Sequence, residues 1–413
     1  MRHQQLIASK ATFFYIDWPM TLSRIPPIIL IILIWFAGLG AAAQFAKVAL
    51  TFEQLQNHYD QFGTSSGLLV SLISFLGVLL GQVAGLLGAR FGYRKLLLVG
   101  LWVGAVVSLL QALMPPFHIM LASRIIEGAS HLAIVVAAPT IISAIATPKQ
   151  QGFALTLWGT FFGVAFTAIA IIAPMLVELG GLELVFIAHG FYLIVITLIL
   201  TFTVPTVKDL AAKGSAKIGI AEFLKLHIDT FRSPFIAAPA IGWLFYTLTF
   251  VSLIAVMPQF LSDQHEVTVM TAIPLASIVS SMTLGVFLLR FIRPIAVVIT
   301  GFVLAIGVMF AFWLVPHNPV IPIVLFAALG LVQGASFAAV PDLNENIDNR
   351  AKAYGAIAQM GNLGNLCGTP LLIAIIPIWG FPGIVFAVSA IYLAAVVAHL
   401  WLSALRNRHA NLH

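Results

Sequence analysis

Long apolar runs, broken only by short polar stretches, fill almost all of this 413-residue chain. Hydrophobic residues make up 61% of the sequence and charged residues only 8%. Ordinary globular domains contain about 25% charged residues, so a water-soluble fold is excluded. A helix of about 20 apolar residues crosses the ~30 Å core of a bilayer. The sequence therefore predicts an all-α polytopic membrane protein.

Breaks at proline, glycine and charged residues divide these runs into twelve predicted transmembrane spans, numbered here in chain order. The predicted spans are 25–47, 66–89, 96–114, 118–146, 151–177, 184–204, 234–260, 268–290, 295–314, 319–341, 352–376 and 381–405. We expect no secretory signal peptide, because the first apolar run is too long for one and follows a 24-residue leader.

Basic residues set the expected orientation, since Lys and Arg in short loops stay on the cytoplasmic side. With the amino terminus inside, the cytoplasmic segments hold 18 of the 20 Lys and Arg residues. Only Lys47 and Arg124 fall elsewhere, and we expect Lys47 to reach the outer surface from the end of its span. We predict cytoplasmic termini and a bacterial inner membrane. The net charge of +6 then reflects orientation rather than nucleic-acid binding.

One long polar stretch, residues 205–233, separates the first six spans from the last six. Its second part places apolar side chains on one helical face, which indicates an interfacial amphipathic helix, and a plain tether is the alternative. The predicted organisation is a cytoplasmic tail, a six-helix half, this linker, a second six-helix half and a short cytoplasmic tail. The corresponding boundaries are 1–24, 25–204, 205–233, 234–405 and 406–413.

The two halves resemble each other in sequence. "GLLGARFGYRK" from Gly85 is weakly matched by "GVFLLRFIRP" from Gly285, and "EGAS" from Glu127 by "QGAS" from Gln333. "GGLELVF" from Gly180 is matched in the same way by "WGFPGIVF" in the second half. Because several matches keep their order along the chain, we predict a duplicated six-helix unit.

With twelve spans, a central linker and a glycine-rich basic loop after the second span, the chain resembles the major facilitator superfamily (MFS). The loop motif of that family reads roughly G-x-L-A-D-R-x-G-R-R-K, and it is matched here by Gly85, Leu87, Arg90, Gly92, Arg94 and Lys95. Ala89 stands where the family has an Asp that helps to latch the halves together on the cytoplasmic side. The resemblance implies the MFS fold of two pseudo-symmetric halves, alternating access and a monomer.

Three ionisable residues of the fourth span lie at helical spacing in "ASRIIEGASHLAIVV". Arg124, Glu127 and His131 follow at i, i+3 and i+7, so they share one stripe of the helix. A charge that faces lipid at mid-bilayer costs about 2.5 to 3.5 kcal/mol, so this stripe must face protein or water. Arg124 and Gly128 match the fourth-span motif of the family, and the resemblance implies that this span lines the central cavity.

Two interpretations of this stripe stay open. In the structural one, Arg124 and Glu127 neutralise each other and fix the packing of the helices. In the functional one, Arg124 binds an anionic or polar substrate, while Glu127 or His131 exchanges a proton as the cavity opens and closes. For His131, a histidine that is simply hydrogen-bonded inside the bundle is equally consistent with the sequence.

Further cavity candidates are polar without charge, or aromatic. In the eleventh span Gln359 and Asn362 share a face, with hydrogen bonds between helices as the alternative role. Gln333 occupies the position in the tenth span that Glu127 has in the fourth. The remaining candidates can stack on or bind a flat organic solute, or simply pack: Trp35, Gln44, Trp158, Trp243 and Tyr246. The third span, whose polar residues are Ser108 and Gln111, is expected to face lipid.

Motifs of several enzyme and pump classes are missing from the sequence: H-E-x-x-H, G-x-x-x-x-G-K-[ST], G-x-S-x-G and a Cys cluster. The prediction is a secondary active transporter of a small organic solute, anionic if Arg124 binds it, and coupled to protons. We expect no metal or other cofactor, and no partners besides solute, protons and lipids. The alternatives are a multidrug exporter, disfavoured by a poor match to the fifth-span antiporter motif, and a receptor or an intramembrane enzyme using Ser130, His131 and His189.

Overall fold

The computed structural model describes residues 25–81, 92–147, 150–205 and 220–410, and within these ranges it contains helices and no strands. Nine of the described helices are long and apolar enough to cross a membrane, and two of the nine are broken at glycine. Together with the shorter apolar helix Thr64–Leu80, they supply twelve crossings. The predicted all-α, twelve-span fold class is confirmed.

The helix bounds follow the predicted spans closely. The helices of the first half are Pro27–Ala49, Thr64–Leu80, Tyr93–Gln111, Phe117–Ile145, Gln151–Gly159 and Phe161–Thr203. Those of the second half are Pro234–Val256, Asp263–Ser280 with a π-helical turn Ser281–Gly285 and the short helix Val286–Leu288, Pro294–Leu314, Val320–Leu343 and Ile347–Ala410. Two further helices are an outer helix, Phe52–Tyr59, and a linker helix, Ile220–Arg232.

Glycine separates consecutive spans at two equivalent places. The 43 residues of Phe161–Thr203 would form a helix about 65 Å long, which is too long for one crossing. The chain breaks at Gly180 and Gly181, and it breaks again at Gly380 between the eleventh and twelfth spans. Gly181 has φ 73° and Gly380 has φ 57°, in the left-handed region that glycine adopts without steric cost. These breaks lie where the sequence repeat aligns the two halves.

The two halves also repeat one close helix crossing. Gly128 of the fourth span lies against the carbonyl group of Ile73 in the second span, and Gly330 of the tenth lies against that of Ser277 in the eighth. A Cβ atom at either glycine would overlap the carbonyl oxygen, so the helices approach this closely only because a side chain is absent. The fourth and tenth spans are equivalent in the predicted repeat, and so are the second and eighth.

Gly128→Ala is expected to destabilise the protein by about 1 to 3 kcal/mol, because the added methyl group overpacks a crossing of two backbones. Thermal unfolding of the purified protein in detergent measures the change. Gly159→Ala is the matched control, since nothing lies within 4 Å of a Cβ built there. Equal melting temperatures for the two variants would contradict this account of the crossing.

Among the described residues, two pairs of spans form most of the contact between the halves: the second packs on the eleventh, and the fifth packs on the eighth. In the first pair, a Cβ built on Gly67 would lie 2.9 Å from Pro370 Cα, and one built on Gly81 would lie 3.1 Å from Gln359 Cα. We refer to this contact between residues 67–81 and 359–370 as the 2–11 seam. Gly67 and Gly81 are 14 residues apart, which corresponds to about 21 Å of helix. The seam therefore runs through much of the membrane thickness.

Several predicted features fall partly outside the described ranges. These include the amino-terminal tail, part of the linker and part of the basic loop, with Gly85, Ala89 and Arg90. Of the remaining loop residues, Gly92 has φ 86° and precedes the third span. Arg94 donates from Nε to Val204 O at 2.7 Å and from Nη2 to Thr201 O at 2.6 Å, which satisfies carbonyl groups at the end of the sixth span. Lys95 is exposed.

The outer helix is anchored to the first half at both ends. Phe52 and Leu55 are buried, and the hydroxyl of Tyr59 donates to Pro115 O at 2.9 Å. Partial burial raises the pKa of Tyr59 to about 12, so the phenol stays protonated and remains a donor at physiological pH. The ends of the first and third spans next to this helix are therefore held together by a contact that pH does not disturb.

Candidate functional site

Polar side chains from four spans of the first half meet in one buried group, termed the charge cluster. Its members are Gln44 and Lys47 of the first span, Ser108 and Gln111 of the third, Arg124, Glu127, Ser130 and His131 of the fourth, and His189 of the sixth. Lys47, Arg124 and Glu127 are 0% exposed, whereas His131 is 9% exposed. Ionisable groups this deep in a membrane protein need partners within the protein.

Glu127 lies at the centre of the charge cluster. Its Oε1 is 2.8 Å from Lys47 Nζ, and its Oε2 forms an ion pair with Nη1 of Arg124. Gln111 also donates from Nε2 to Oε2 at 2.9 Å. The carboxylate is therefore bound by two cations and an amide that come from three different spans.

Lys47 does not reach the outer surface, so that prediction is wrong. Its Nζ lies 2.9 Å from Ser108 Oγ, 2.9 Å from Gln111 Oε1 and 3.2 Å from His189 Nδ1. Together with Glu127, these acceptors replace the water that the ammonium group loses on burial. The expectation for the third span is corrected as well, because Ser108 and Gln111 face Lys47 rather than lipid.

Arg124 connects three spans through their backbones. Nε donates to Leu69 O of the second span at 2.7 Å, and Nη1 donates to Gln44 O of the first span at 3.0 Å. Nη2 is buried and has no hydrogen-bond partner within the part of the chain that the structure describes. The guanidinium group therefore fixes the packing of the helices and still has one donor group unused.

Hydrogen bonds to backbone carbonyl groups fix which nitrogen of each histidine in the charge cluster carries hydrogen. His131 Nδ1 lies 2.9 Å from Ala41 O, and His189 Nε2 lies 3.0 Å from Gly40 O. A carbonyl oxygen only accepts, so these are the nitrogens that carry hydrogen. Nδ1 of His189 then has the free lone pair. It is an acceptor for Lys47 Nζ at 3.2 Å and lies 2.9 Å from Ser108 Oγ, whose hydrogen is donated to Phe186 O. The tautomers are thus assigned from the hydrogen-bond network.

The charges of the cluster do not balance. Lys47 and Arg124 contribute two positive charges, and Glu127 contributes one negative charge. Among the described residues, no second carboxylate pairs with either cation. With both imidazoles neutral, the buried cluster carries a net charge of +1. An uncompensated charge in a membrane interior is costly, so the charge cluster is the candidate functional site of the described chain.

A row of aromatic side chains connects the charge cluster with the second half. His131 contacts Phe45 edge to face at a centroid distance of 5.0 Å. From Phe45 the row continues through Phe162, Phe250, Tyr246, Trp243 and Phe337, at centroid distances of 5.8, 6.4, 5.1, 4.7 and 4.8 Å. We refer to these six side chains as the aromatic row. Its Phe45 end is buried, whereas Trp243 is half-buried and Phe337 is 42% exposed.

The other predicted aromatic and amide residues of the central spans occupy different places. Trp158 is half-buried and stacks on Phe161 at 4.5 Å. Trp35 is also half-buried, and its Nε1 has no partner within the described chain. Gln333 accepts from Ser277 Oγ at 3.1 Å, so the second-half counterpart of Glu127 joins the tenth and eighth spans.

Gln359 and Asn362 lie in the 2–11 seam. Gln359 donates from Nε2 to Val78 O of the second span at 2.9 Å, and the same nitrogen is 3.0 Å from Nε2 of His227 in the linker helix. Asn362 Nδ2 donates to Ala358 O of its own helix at 2.8 Å, and its side chain lies against Gly77. In this conformation both amides make interhelical or intrahelical contacts, which is the alternative that the sequence left open.

Sequence reasoning assigned no functional role to Lys47, Ser108 or Gln111, and gave His189 only a place in the enzyme alternative. A signal was present in the spacing: Gln44 and Lys47 are three residues apart, as are Ser108 and Gln111. Each pair therefore lies on one face of an otherwise apolar helix. Two such polar faces in one half of the protein indicate helices that turn toward each other.

Comparisons with known proteins agree with this architecture. A family model described as "Major Facilitator Superfamily" matches residues 30–346. A Mycobacterium tuberculosis protein described as an uncharacterized MFS-type transporter is 33% identical over 107 residues, which are 26% of this chain and only 18% of that protein. The crystal structure of the human organic anion transporter MFSD10 superposes with a TM-score of 0.67 over 91% of this chain and 100% of that chain. Its sequence identity is 17%, so this likeness concerns the fold alone.

Proposed function

The chain belongs to the major facilitator superfamily, and from this premise we propose that it is a membrane transporter that carries a small organic anion by proton-coupled alternating access. The observation that supports this proposal most directly is the net charge of +1 in the buried charge cluster. In the proposed cycle, residues 25–204 and 234–405 are the two moving halves and residues 205–233 join them. Both termini lie in the cytoplasm of a bacterium.

The excess positive charge favours an anion over a cation. Charges in a low-dielectric region act over longer distances than charges in water, so the cluster attracts an anion even without direct contact. Arg124 retains one unused donor group at Nη2, which suits a carboxylate or a similar anion. The fold neighbour MFSD10 is itself described as an organic anion transporter.

The aromatic row favours a flat organic group as the other part of the solute. Trp243 and Tyr246 are stacked with an angle of 24° between their ring planes, and Trp243 is half-buried. Trp158 and Trp35 supply two more half-buried indole rings on the first half. An aromatic anion can stack on these rings while the charge cluster attracts its negative group.

Proton coupling is assigned to the fourth span, with Glu127 and His131 as the predicted groups. The exposed fraction of His131 is 9%, whereas Glu127 is 0% exposed and bound by two cations. In this proposal His131 exchanges protons with the cavity, and Glu127 keeps the cluster ionised. A proton that moves together with the anion neutralises its charge, so little net charge has to cross the membrane.

Uptake by proteoliposomes that contain the purified protein tests the proposal. An imposed proton gradient should drive accumulation of an aromatic carboxylate such as benzoate, and uptake should fall when the gradient is collapsed with an ionophore. His131→Gln should reduce this gradient-driven uptake at least tenfold. Glu53→Gln, a change of an exposed carboxylate on the outer helix, is the control and should transport like the wild type.

A comparison of aromatic carboxylates with quaternary ammonium compounds distinguishes the organic anion transporter from the multidrug exporter. A bound solute at about 100 times its dissociation constant stabilises the native state by about 2.7 kcal/mol, so thermal unfolding identifies ligands directly. Stabilisation and transport of quaternary ammonium compounds instead of carboxylates would contradict the proposal and favour the multidrug exporter. Uptake that ignores both pH and membrane potential would contradict the coupling alone.

A further inference from the structure

Lys47 contributes a charge to the cluster, but the proposed cycle gives it no part in proton transfer. We propose that Lys47, with His189 as its proton acceptor, is the group of the charge cluster that releases and regains the coupling proton. This inference rests on the proposed function and names the residue pair that performs the coupling. His131 then passes protons between the cavity and the cluster.

The contacts of the pair suit proton exchange. Nζ of Lys47 lies 3.2 Å from Nδ1 of His189, and Ser108 Oγ lies 2.9 Å from each of these two nitrogens. Ser108 donates its own hydrogen to Phe186 O at 2.9 Å, so its oxygen accepts from Lys47. Nε2 of His189 keeps its hydrogen on Gly40 O at 3.0 Å. The free acceptor position of the ring therefore faces the ammonium group.

The charge count favours Lys47 over Glu127 as the site of exchange. If Glu127 takes up a proton, its negative charge disappears and the buried cluster rises from +1 to +2. If the proton of Lys47 passes to His189, the cluster stays at +1. Once His189 releases the proton from the cluster, the charge falls to zero and the pair of Arg124 and Glu127 is left intact. Because uncompensated charge is costly to bury, the second change is the easier one.

The proton transfer itself is simple. One N–H bond of the Lys47 ammonium breaks, and the proton forms a new N–H bond at Nδ1 of His189, which becomes an imidazolium. When the cavity opens, the imidazolium gives this proton to water or to the bound anion and returns to its neutral tautomer. The lone pair of Lys47 accepts a proton in the next cycle. The other charged groups that face the pair are Glu127 and Arg124.

A polar path leads from Lys47 toward the surface of the first half. Gln111 accepts from Lys47 at 2.9 Å and donates from Nε2 to Ser123 Oγ at 3.0 Å. Ser123 is half-buried and lies in the second turn of the fourth span, at the end next to the outer helix. A small movement of the fourth span is therefore enough to bring water to the cluster.

Lys47→Arg is the most direct test, because arginine keeps the positive charge but does not release a proton. In proteoliposomes, Lys47→Arg should lose gradient-driven accumulation of benzoate at least tenfold and keep equilibrium exchange of labelled for unlabelled benzoate. His189→Gln should show the same result, with gradient-driven accumulation lost and equilibrium exchange kept. Lys95→Arg is the matched control, since Lys95 is exposed, and it should behave like the wild type.

Potentiometric titration of the purified protein gives a readout that needs no substrate. Between pH 6 and pH 10 the wild type should release one proton more than Lys47→Met, and the His189→Gln variant should release its proton over a different pH range. Gradient-driven accumulation by Lys47→Arg or Lys47→Met at the wild-type level would overturn the inference, and so would identical titrations. If the wild type itself accumulates no benzoate, the proposed function fails, while the titration still decides the role of Lys47.

Discussion

Glu127→Gln should lower the free energy of unfolding by about 3 to 5 kcal/mol, because one partner of a buried ion pair is removed while the others stay. The substitution leaves Lys47 and Arg124 as two neighbouring positive charges, both 0% exposed, with no carboxylate between them. Glutamine still offers a carbonyl oxygen, so the packing changes little and the effect reports the missing charge. Thermal unfolding in detergent, followed by tryptophan fluorescence, measures it.

A double-mutant cycle distinguishes the charge effect from a general loss of packing. The double variant Glu127→Gln/Lys47→Met leaves one cation in place of two, and it should recover part of the stability lost by Glu127→Gln alone. Glu53→Gln removes an exposed carboxylate and should change stability by less than about 0.5 kcal/mol. If Glu127→Gln were as mild as this control, the charge cluster would not hold the first half together.

Larger side chains at the two ends of the 2–11 seam, here called wedge variants, should trap the transporter in opposite conformations. Gly67→Val and Gly81→Val add the same volume to the same helix, one against Pro370 and the other against Gln359. Overpacking costs about 1 to 3 kcal/mol, which corresponds to a shift of about 5- to 150-fold between two conformations. With cytoplasmic termini, Gly67 is at the outer end, so Gly67→Val should open the protein outward and Gly81→Val inward. Both variants should lose net transport.

Accessibility of Phe250 from outside reports which side has opened. Phe250 contacts Phe162 and Phe166 across the two halves, and it is 4% exposed. In a Cys367→Ser background, Phe250→Cys should react with an impermeant thiol reagent faster in Gly67→Val than in the parent. It should stay unreactive in Gly81→Val, although that variant is equally unable to transport. Equal reaction rates in the two wedge variants would show that the seam does not act as a pair of opposing gates.

The number and bounds of the spans could be predicted because bilayer thickness fixes how many apolar residues a crossing needs. The break at Gly380 also follows from a local feature, since the sequence repeat aligns Gly380 with Gly180. The burial of Arg124 and Glu127 could be foreseen as well, because a charged stripe must avoid lipid. These predictions depend on the local sequence and on the properties of the lipid bilayer. They do not depend on which helices become neighbours in the fold.

The partners of the charged residues could not be predicted in the same way. A lysine at a span end can extend to the surface or turn inward, and the choice for Lys47 depends on Ser108, Gln111 and His189, which follow 61 to 142 residues later in the sequence. Periodicity placed Gln359 on a polar face but did not show that this face meets Val78 in the seam. Both outcomes depend on the rotation of each helix within the bundle.

The charge cluster is also expected to make the first half of the molecule stiffer than the second half. Its ion pairs and hydrogen bonds tie together the first, third, fourth and sixth spans. The described second-half helices contain instead a π-helical turn and six interior prolines, at positions 239, 274, 341, 370, 377 and 382, against two in the first half. Proline residues and π-helical turns interrupt the backbone hydrogen bonds of a helix and let the helix bend. Two halves with one topology are therefore expected to differ in compliance, with the first rotating as a block and the second bending.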